Sequence, residues 1–321
     1  MAAKELDLTE VIPRPLLIDP WCRAGDLGFI FAARGLGKTW LGIHLAHCLA
    51  SHKDFGPWKV SSLSSRILYM DGEMALADIK YRNHVLGGGC DNLWYLNHEV
   101  LYERTGRIIN LSDKELQVAV LEFCKEHDFN VLILDNLSCL VSNVDENSPI
   151  DWEKILPWLL NLRRNHITVI FIHHAGRADQ YMRGHSKRED PAAWIIHLKH
   201  PRNDPNQEVQ GAHFISSFDK YRNAADRPVD LEWNFSPINN AQDILVRFDE
   251  CHPLDIFVEI VAQGVHQCKD IAEEMGLSHV AVSRLAHKAD AKSLIEIKKG
   301  KYYVKSSGPK SYNPSDDAND D

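Results

Sequence analysis

Ala32-Ala33-Arg34-Gly35-Leu36-Gly37-Lys38-Thr39 is the stretch from which the rest of the chain can be read. It follows the apolar run Leu27-Gly28-Phe29-Ile30-Phe31. It precedes Trp40 to Ala50, an apolar, helix-forming segment. Strand, glycine loop and helix is the setting a phosphate-binding loop requires. The glycines let backbone N–H groups turn inward around an anion, and the positive end of the next helix points the same way. Lys38 then reaches the β- and γ-phosphates, and the Thr39 hydroxyl is a ligand for Mg²⁺. The expected nucleotide contacts are Ala33, Arg34, Gly35, Leu36, Gly37, Lys38, Thr39 and Trp40. Ala32 stands where the motif's first glycine usually does, a difference of one methyl group.

Outward from this loop, apolar runs end in polar chemistry. Arg66-Ile67-Leu68-Tyr69-Met70 reads as a strand leading into Asp71-Gly72-Glu73-Met74. Asn130 to Leu134 is a strand ending in Asp135. Thr168 to Ile172 is a strand ending in His173-His174. Helical patterns lie between: Ala75 to Leu86, a segment opened by a Ser112-x-x-Glu115 capping box, and Asp151 to Arg164. Alternating strands and helices imply right-handed crossovers and a mainly parallel sheet covered on both faces, with ligands gathered at the carboxyl ends of the strands. Asp135 is placed to hold Mg²⁺ directly or through water. Glu73 is placed to orient and deprotonate an attacking water. Either His173 or His174 is placed to hydrogen-bond the γ-phosphate. Trp194–Lys199, Ala212–Asp219 and Val229–Phe235 read as further strands, partly antiparallel.

The phrases Gly35-Leu36-Gly37-Lys38-Thr39-Trp40, Leu68-Tyr69-Met70-Asp71-Gly72-Glu73-Met74, His173-His174-Ala175-Gly176, Arg183-Gly184-His185-Ser186 and Phe218-Asp219-Lys220-Tyr221-Arg222, in that order, resemble the RecA-like P-loop ATPases. Within them the chain resembles the RepA-type hexameric helicases of plasmids, phages and other mobile elements, over roughly residues 16–236. The resemblance implies a ring, most simply a hexamer, with ATP and Mg²⁺ between subunits. It implies that Lys220 and Arg222 reach in trans to a neighbour's γ-phosphate, which would join Lys38, Glu73 and His174 in the expected catalytic set. It also implies two loops facing a central channel. The first, 138–148, contains Asp145 and Glu146 and no basic residue. The second, 176–191, carries Arg177, Arg183, Lys187 and Arg188, suited to the backbone of single-stranded DNA, and Tyr181, suited to stacking on a base.

Composition shifts after Asn239. Pro253–Gln263, Lys269–Met275 and Val280–Lys288 read as helices. Leu294–Ile297 and Tyr302–Val304 read as two strands joined by Lys298-Lys299-Gly300-Lys301. This is the pattern of a winged helix-turn-helix, a module for DNA or for a protein partner. The expected layout is therefore an N-terminal arm over 1–20, in which Pro13, Pro15 and Pro20 discourage helix and which packs across the core. A RecA-like ATPase domain follows over 21–240, a winged helix over 253–305 and a disordered acidic tail over 306–321.

Bulk properties agree with this. A chain of 321 residues, 44% apolar and 25% charged, can bury a sizeable core. A net charge of −9 excludes a global basic field, so nucleic acid must meet a local patch or a channel. Seven scattered cysteines fit a reduced, cytoplasmic setting, and no apolar run is long enough to span a membrane. Two functions from different classes follow: an ATP-driven motor on single-stranded DNA, the replicative-helicase reading of the family resemblance, and a non-motor ATPase switch that recruits DNA or a partner through its winged helix.

Overall fold

The computed structural model describes residues 1–63, 65–141, 149–176, 182, 189–201, 211–275 and 277–305. Arg177, Tyr181, Arg183, Lys187 and Arg188 of the second channel loop, Asp145 and Glu146 of the first, and the tail over 306–321 lie outside them.

The chain forms two compact units, Met1–Asp249 and Glu250–Asp321. The first opens with α1 (Ala3–Leu8), β1 (Leu16–Ile18) and β2 (Cys22–Arg23). Then come β3 (Leu27–Ala32), α2 (Lys38–Ser51), β4 (Ile67–Asp71), α3 (Leu76–Val85), β5 (Leu93–Asn97) and α4 (His98–Thr105). Next are α5 (Lys114–Glu126), β6 (Val131–Asp135), the short α6 (Leu137–Leu140), α7 (Pro149–Arg164) and β7 (Thr168–His174). Strands β8 (Trp194–Lys199), β9 (Ala212–Tyr221), β10 (Asp230–Ile238) and β11 (Asp243–Cys251) complete it. Strands β1 and β2 pair by themselves, and the other nine make one sheet in the order β11-β10-β9-β8-β3-β7-β6-β4-β5. From β8 to β5 the pairing is parallel; β9 runs against β8, and β10 against β9.

Period-two side-chain alternation sorts the parallel strands into two cores. Ile30, Tyr69, Ile133 and Ile172 face one cluster, which takes in α2 and the aromatic group around Trp21, Phe55 and Trp233. Phe29, Phe31, Met70, Leu134 and Phe171 face the other, closed by α5 and α7. Helix α2 reaches the sheet because Gly42 has no side chain: a Cβ there would stand 2.2 Å from Ile172 Cδ1.

Two local expectations are corrected. The arm contains a helix, α1, which lies before the first proline, and none of its residues is buried; of the arm's apolar side chains only Leu17 and Ile18 are buried. The cap of α5 is Asp113 rather than Ser112: its carboxylate accepts the Glu115 N–H at 2.9 Å, while Asn110 holds Ser112 N at 3.1 Å in the turn before the helix. Strand β11 and helix α4 were not legible, and β11 occupies the interval left between the two expected domains.

The second unit holds α8 (Pro253–Ala262), α9 (Cys268–Met275), α10 (His279–Ala291), β12 (Ile295–Lys298) and β13 (Lys301–Val304). Ser278 caps α10 through Ala281 N at 3.2 Å. The two strands pair antiparallel with Lys298 opposite Lys301. Phe257, Ile271, Val282, Ala286 and Ile295 form its own core.

Candidate nucleotide site

Strand β3 is buried along its whole length and delivers the loop 33–37 to the carboxyl edge of the sheet. Gly35 has φ 78° and Gly37 has φ 102°, the left-handed region that glycine enters without steric penalty. A Cβ on Gly37 would also stand 2.7 Å from Ala212 Cβ. Gly37 caps α2 without a side-chain bond, so the first-turn N–H groups are left for an anion. Ala32 is still part of β3, paired with His174; a strand residue needs no positive φ, which is why alanine serves where the motif has glycine. The Lys38 ammonium donates to Ala32 O at 3.2 Å and Ala33 O at 2.7 Å, folded across the mouth of the loop.

Strand register brings the other groups to the same edge. Ala32 pairs with His174, and Asp71 with Asp135. At that edge lies a cavity of about 660 Å³ lined by Lys38, Thr39, Trp40, Glu73, Asp135 and His174 among others. Asp135 is 3% exposed. Burial pushes its carboxyl above the usual range, opposed by hydrogen bonds from Tyr69 and Thr39; the Tyr69 hydroxyl donates at 2.6 Å. The paired oxygens of Thr39 and Asp135 are hard donors of the kind Mg²⁺ takes, so the residues fit that ion. Asp71 lies behind them. Burial, and then Asp135, push it up to about 6. Its carboxylate accepts Met74 N at 3.2 Å and Asn97 Nδ2 at 2.8 Å, closing the turn that presents Glu73.

Glu73 is exposed on that turn and accepts a hydrogen bond from Asn136 Nδ2. The same Nδ2 lies 3.2 Å from His174 Nε2, and His174 Nε2 is 4.0 Å from the Glu73 carboxylate. His174 lines the cavity, whereas His173 is fully buried and does not. Asn136 and Arg82 escaped sequence reasoning. Asn136 had a signal, its place directly after Asp135; its Oδ1 caps α6 through Cys139 N at 3.1 Å. Arg82 had none. It reaches the cavity from α3 with its guanidinium 4.7 Å from the Trp40 ring centroid. Burial lowers its pKa, and the nearby acids oppose that shift.

Lys220 and Arg222 are elsewhere. Strand β9 starts at Ala212, beside the phosphate loop, and runs antiparallel, so it ends at the opposite edge of the sheet: Tyr221 pairs with Trp194, which pairs with Gly28. Arg222 N bonds Ala193 O at 2.8 Å, and the Arg222 side chain is exposed. Lys220 donates to the carbonyls of Glu189 and Asp190. Burial and then Arg222 lower its pKa.

A family profile described as an AAA domain matches residues 4–180. Among solved structures, a KaiC-like protein, PH0186, from the hyperthermophilic archaeon Pyrococcus horikoshii OT3 is similar in fold, with TM-score 0.50 and 14% identity over 72% of this chain and 93% of that one. The flagellar accessory protein FlaH from Methanocaldococcus jannaschii matches with TM-score 0.46 and 13% identity over 70% of this chain and 90% of that one. No curated protein matches in sequence.

Proposed function

This chain belongs to the AAA domain family and has the core of a RecA-like P-loop ATPase, and from that premise we propose that it is a ring-forming, ATP-hydrolysing motor on single-stranded DNA, a replicative helicase of a plasmid, phage or other mobile element working in the cytoplasm. Lys38 and the loop N–H groups bind the phosphates. Thr39 and Asp135 hold Mg²⁺, which when bound neutralises phosphate charge. Glu73, steadied by Asn136, orients the water and takes its proton, and His174 meets the γ-phosphate from the next strand.

One observation carries the ring. Lys220 and Arg222 sit at the sheet edge opposite their own cavity. Cations placed there serve the nucleotide of another subunit, as the family resemblance implies for this Lys-x-Arg. A hexamer is the ring proposed. Single-stranded DNA is assigned to the channel loops carrying Arg177, Arg183, Lys187 and Arg188. The second unit, with its helices and Lys-rich hairpin, is assigned as a winged helix that contacts DNA or a protein partner. Among the described residues no helix is long and apolar enough to cross a membrane.

The test is strand displacement from a forked duplex with ATP, alongside mass in solution with and without nucleotide. Displacement by a multi-subunit assembly supports the motor. ATP turnover with neither displacement nor translocation selects the non-motor switch instead.

A further inference from the structure

Asp26 is a buried carboxylate, 3% exposed, at the amino edge of the sheet. Its partners come from three separate parts of the chain. Arg14 Nη1, on the N-terminal arm, lies 2.8 Å from Oδ1. Arg23 N donates to Oδ2 at 2.8 Å from the β1–β2 pair. Asn223 Nδ2 donates to Oδ2 at 2.6 Å, and it also lies 3.0 Å from Trp21 O. Asn223 is the residue directly after Arg222. The arm is locked to the same spot twice more: Arg14 Nη1 donates to Ala24 O at 2.7 Å, and Arg23 Nη1 donates to Arg14 O at 2.8 Å.

We propose that Asp26, through Asn223, positions Arg222 for its action on a neighbouring subunit, and that Arg14 ties this anchor to the N-terminal arm. The inference rests on the trans-acting reading of Arg222. Its physical content is as follows. An exposed arginine on a turn samples many rotamers, and a catalytic cation must be held near one geometry. Anchors on both sides fix the backbone from which that side chain extends: Arg222 N is held to Ala193 O, and the next side chain is held to a buried acid. A charge-assisted bond to a buried carboxylate is stronger than a neutral one. The anchor lies on no wall of the nucleotide cavity. Its loss therefore disturbs the cation that a subunit offers, and leaves untouched the site that a subunit owns.

The experiment uses full-length Asn223→Ala, with Arg14→Ala as a second variant, the folding of both being checked by thermal melts because each removes a partner of the buried Asp26. Nucleotide affinity is measured first, with a fluorescent ATP analogue. Single-turnover hydrolysis is then followed in the pure variant and in mixed assemblies with Glu73→Gln or Arg222→Ala subunits. Asn223→Ala is expected to bind nucleotide as the wild type does and to turn over about 10²-fold more slowly, the cost of an ångström-scale misplacement; Arg14→Ala shifts in the same direction by less. Mixing Asn223→Ala with Glu73→Gln restores hydrolysis, and mixing it with Arg222→Ala does not. Unchanged turnover in Asn223→Ala overturns the proposal. So does lost nucleotide affinity with no rescue by Glu73→Gln, which marks a merely structural role. The Arg222→Ala and Glu73→Gln mixture, run without any Asn223 variant, reports separately on the trans-acting reading. If that mixture alone fails, the ring reading falls and this inference falls with it.

Discussion

The two edges of the central sheet are built from the same strands and are chemically opposite. At the carboxyl edge, β3, β4, β6 and β7 end side by side and deliver Lys38, Glu73, Asp135 and His174 to one cavity. At the amino edge, Lys220 lies at the end of β9 and Arg222 just after it, away from that cavity. The difference follows from strand direction. Parallel strands put all their carboxyl ends on one side. The reversal at β9 sends its start to the phosphate loop, where Ala212 packs against Gly37, and its end to the far side. One edge therefore gathers its acids, Lys38 and His174 around one cavity, and the other holds its cations away from it.

The largest effect tests that far edge. Arg222→Ala is expected to bind ATP normally and to lose about 10³–10⁵-fold in turnover, the range for arginine cations acting on phosphoryl transfer. Arg222→Lys should recover little, since lysine lacks the planar fork of donors. Loss of ATP binding in Arg222→Ala, read by titration, breaks the comparison. Glu73→Gln strikes the near edge: ATP is retained and turnover falls by about 10²–10⁴-fold, the usual contribution of a general base. Wild-type turnover in that variant places the base elsewhere. Lys38→Ala weakens ATP binding by about 10²-fold, as expected when a charged hydrogen-bonding group is removed, and turnover is lost with it. Equal affinity by calorimetry refutes the phosphate-loop assignment.

A smaller effect is on stability. His44, on the helix that begins at the phosphate loop, packs against Phe55, Trp233 and Phe235. Burial first, then His47 and Lys53, hold it down to about 4 from an ordinary value of 6.5. The unfolded chain therefore binds this proton more readily than the folded one. The contribution is whole above pH 6.5 and is lost as pH falls through the folded value near 4. It amounts to roughly 3 kcal/mol. In denaturant melts, His44→Gln should shrink the loss of stability between pH 7 and pH 4 relative to wild type. Parallel losses in both proteins discount the histidine. The smallest effect is expected from removing residues 253–321: ATP affinity should be unchanged, because every group of the near edge precedes them. Aggregation of the truncated chain contradicts this.

The sequence was most informative where chemistry and periodicity coincide. Gly35, Gly37, Lys38 and Thr39 are bound to one another by local backbone geometry, so their spacing alone announces the loop. Glu73, Asp135 and His174 each follow a buried apolar strand, and a strand that alternates side chains between two cores has only one place to put a polar end. The α5 cap was misplaced by one residue because Ser112 and Asp113 are both competent caps, and the choice between them falls to Asn110 in the preceding turn. Strand β11 went unread because most of its residues are exposed; only Ile244, Val246 and Cys251 are partly buried.

What the sequence determined by itself was the phosphate loop, the alternation of strands and helices, and the identity of the strand-end acids, since each is a property of neighbours along the chain. What only the tertiary structure decided depends on pairs far apart in sequence. It chose His174 over His173 to face the cavity, because consecutive strand residues point to opposite faces and only one of them borders it. It brought Arg82 over Trp40, across 42 positions of chain that give no hint of the contact. It placed Asn136 between Glu73 and His174, and it fixed Asn223 to Asp26 across 197 positions. Those contacts are set by strand order and register, which emerge only when the whole sheet closes its two cores together.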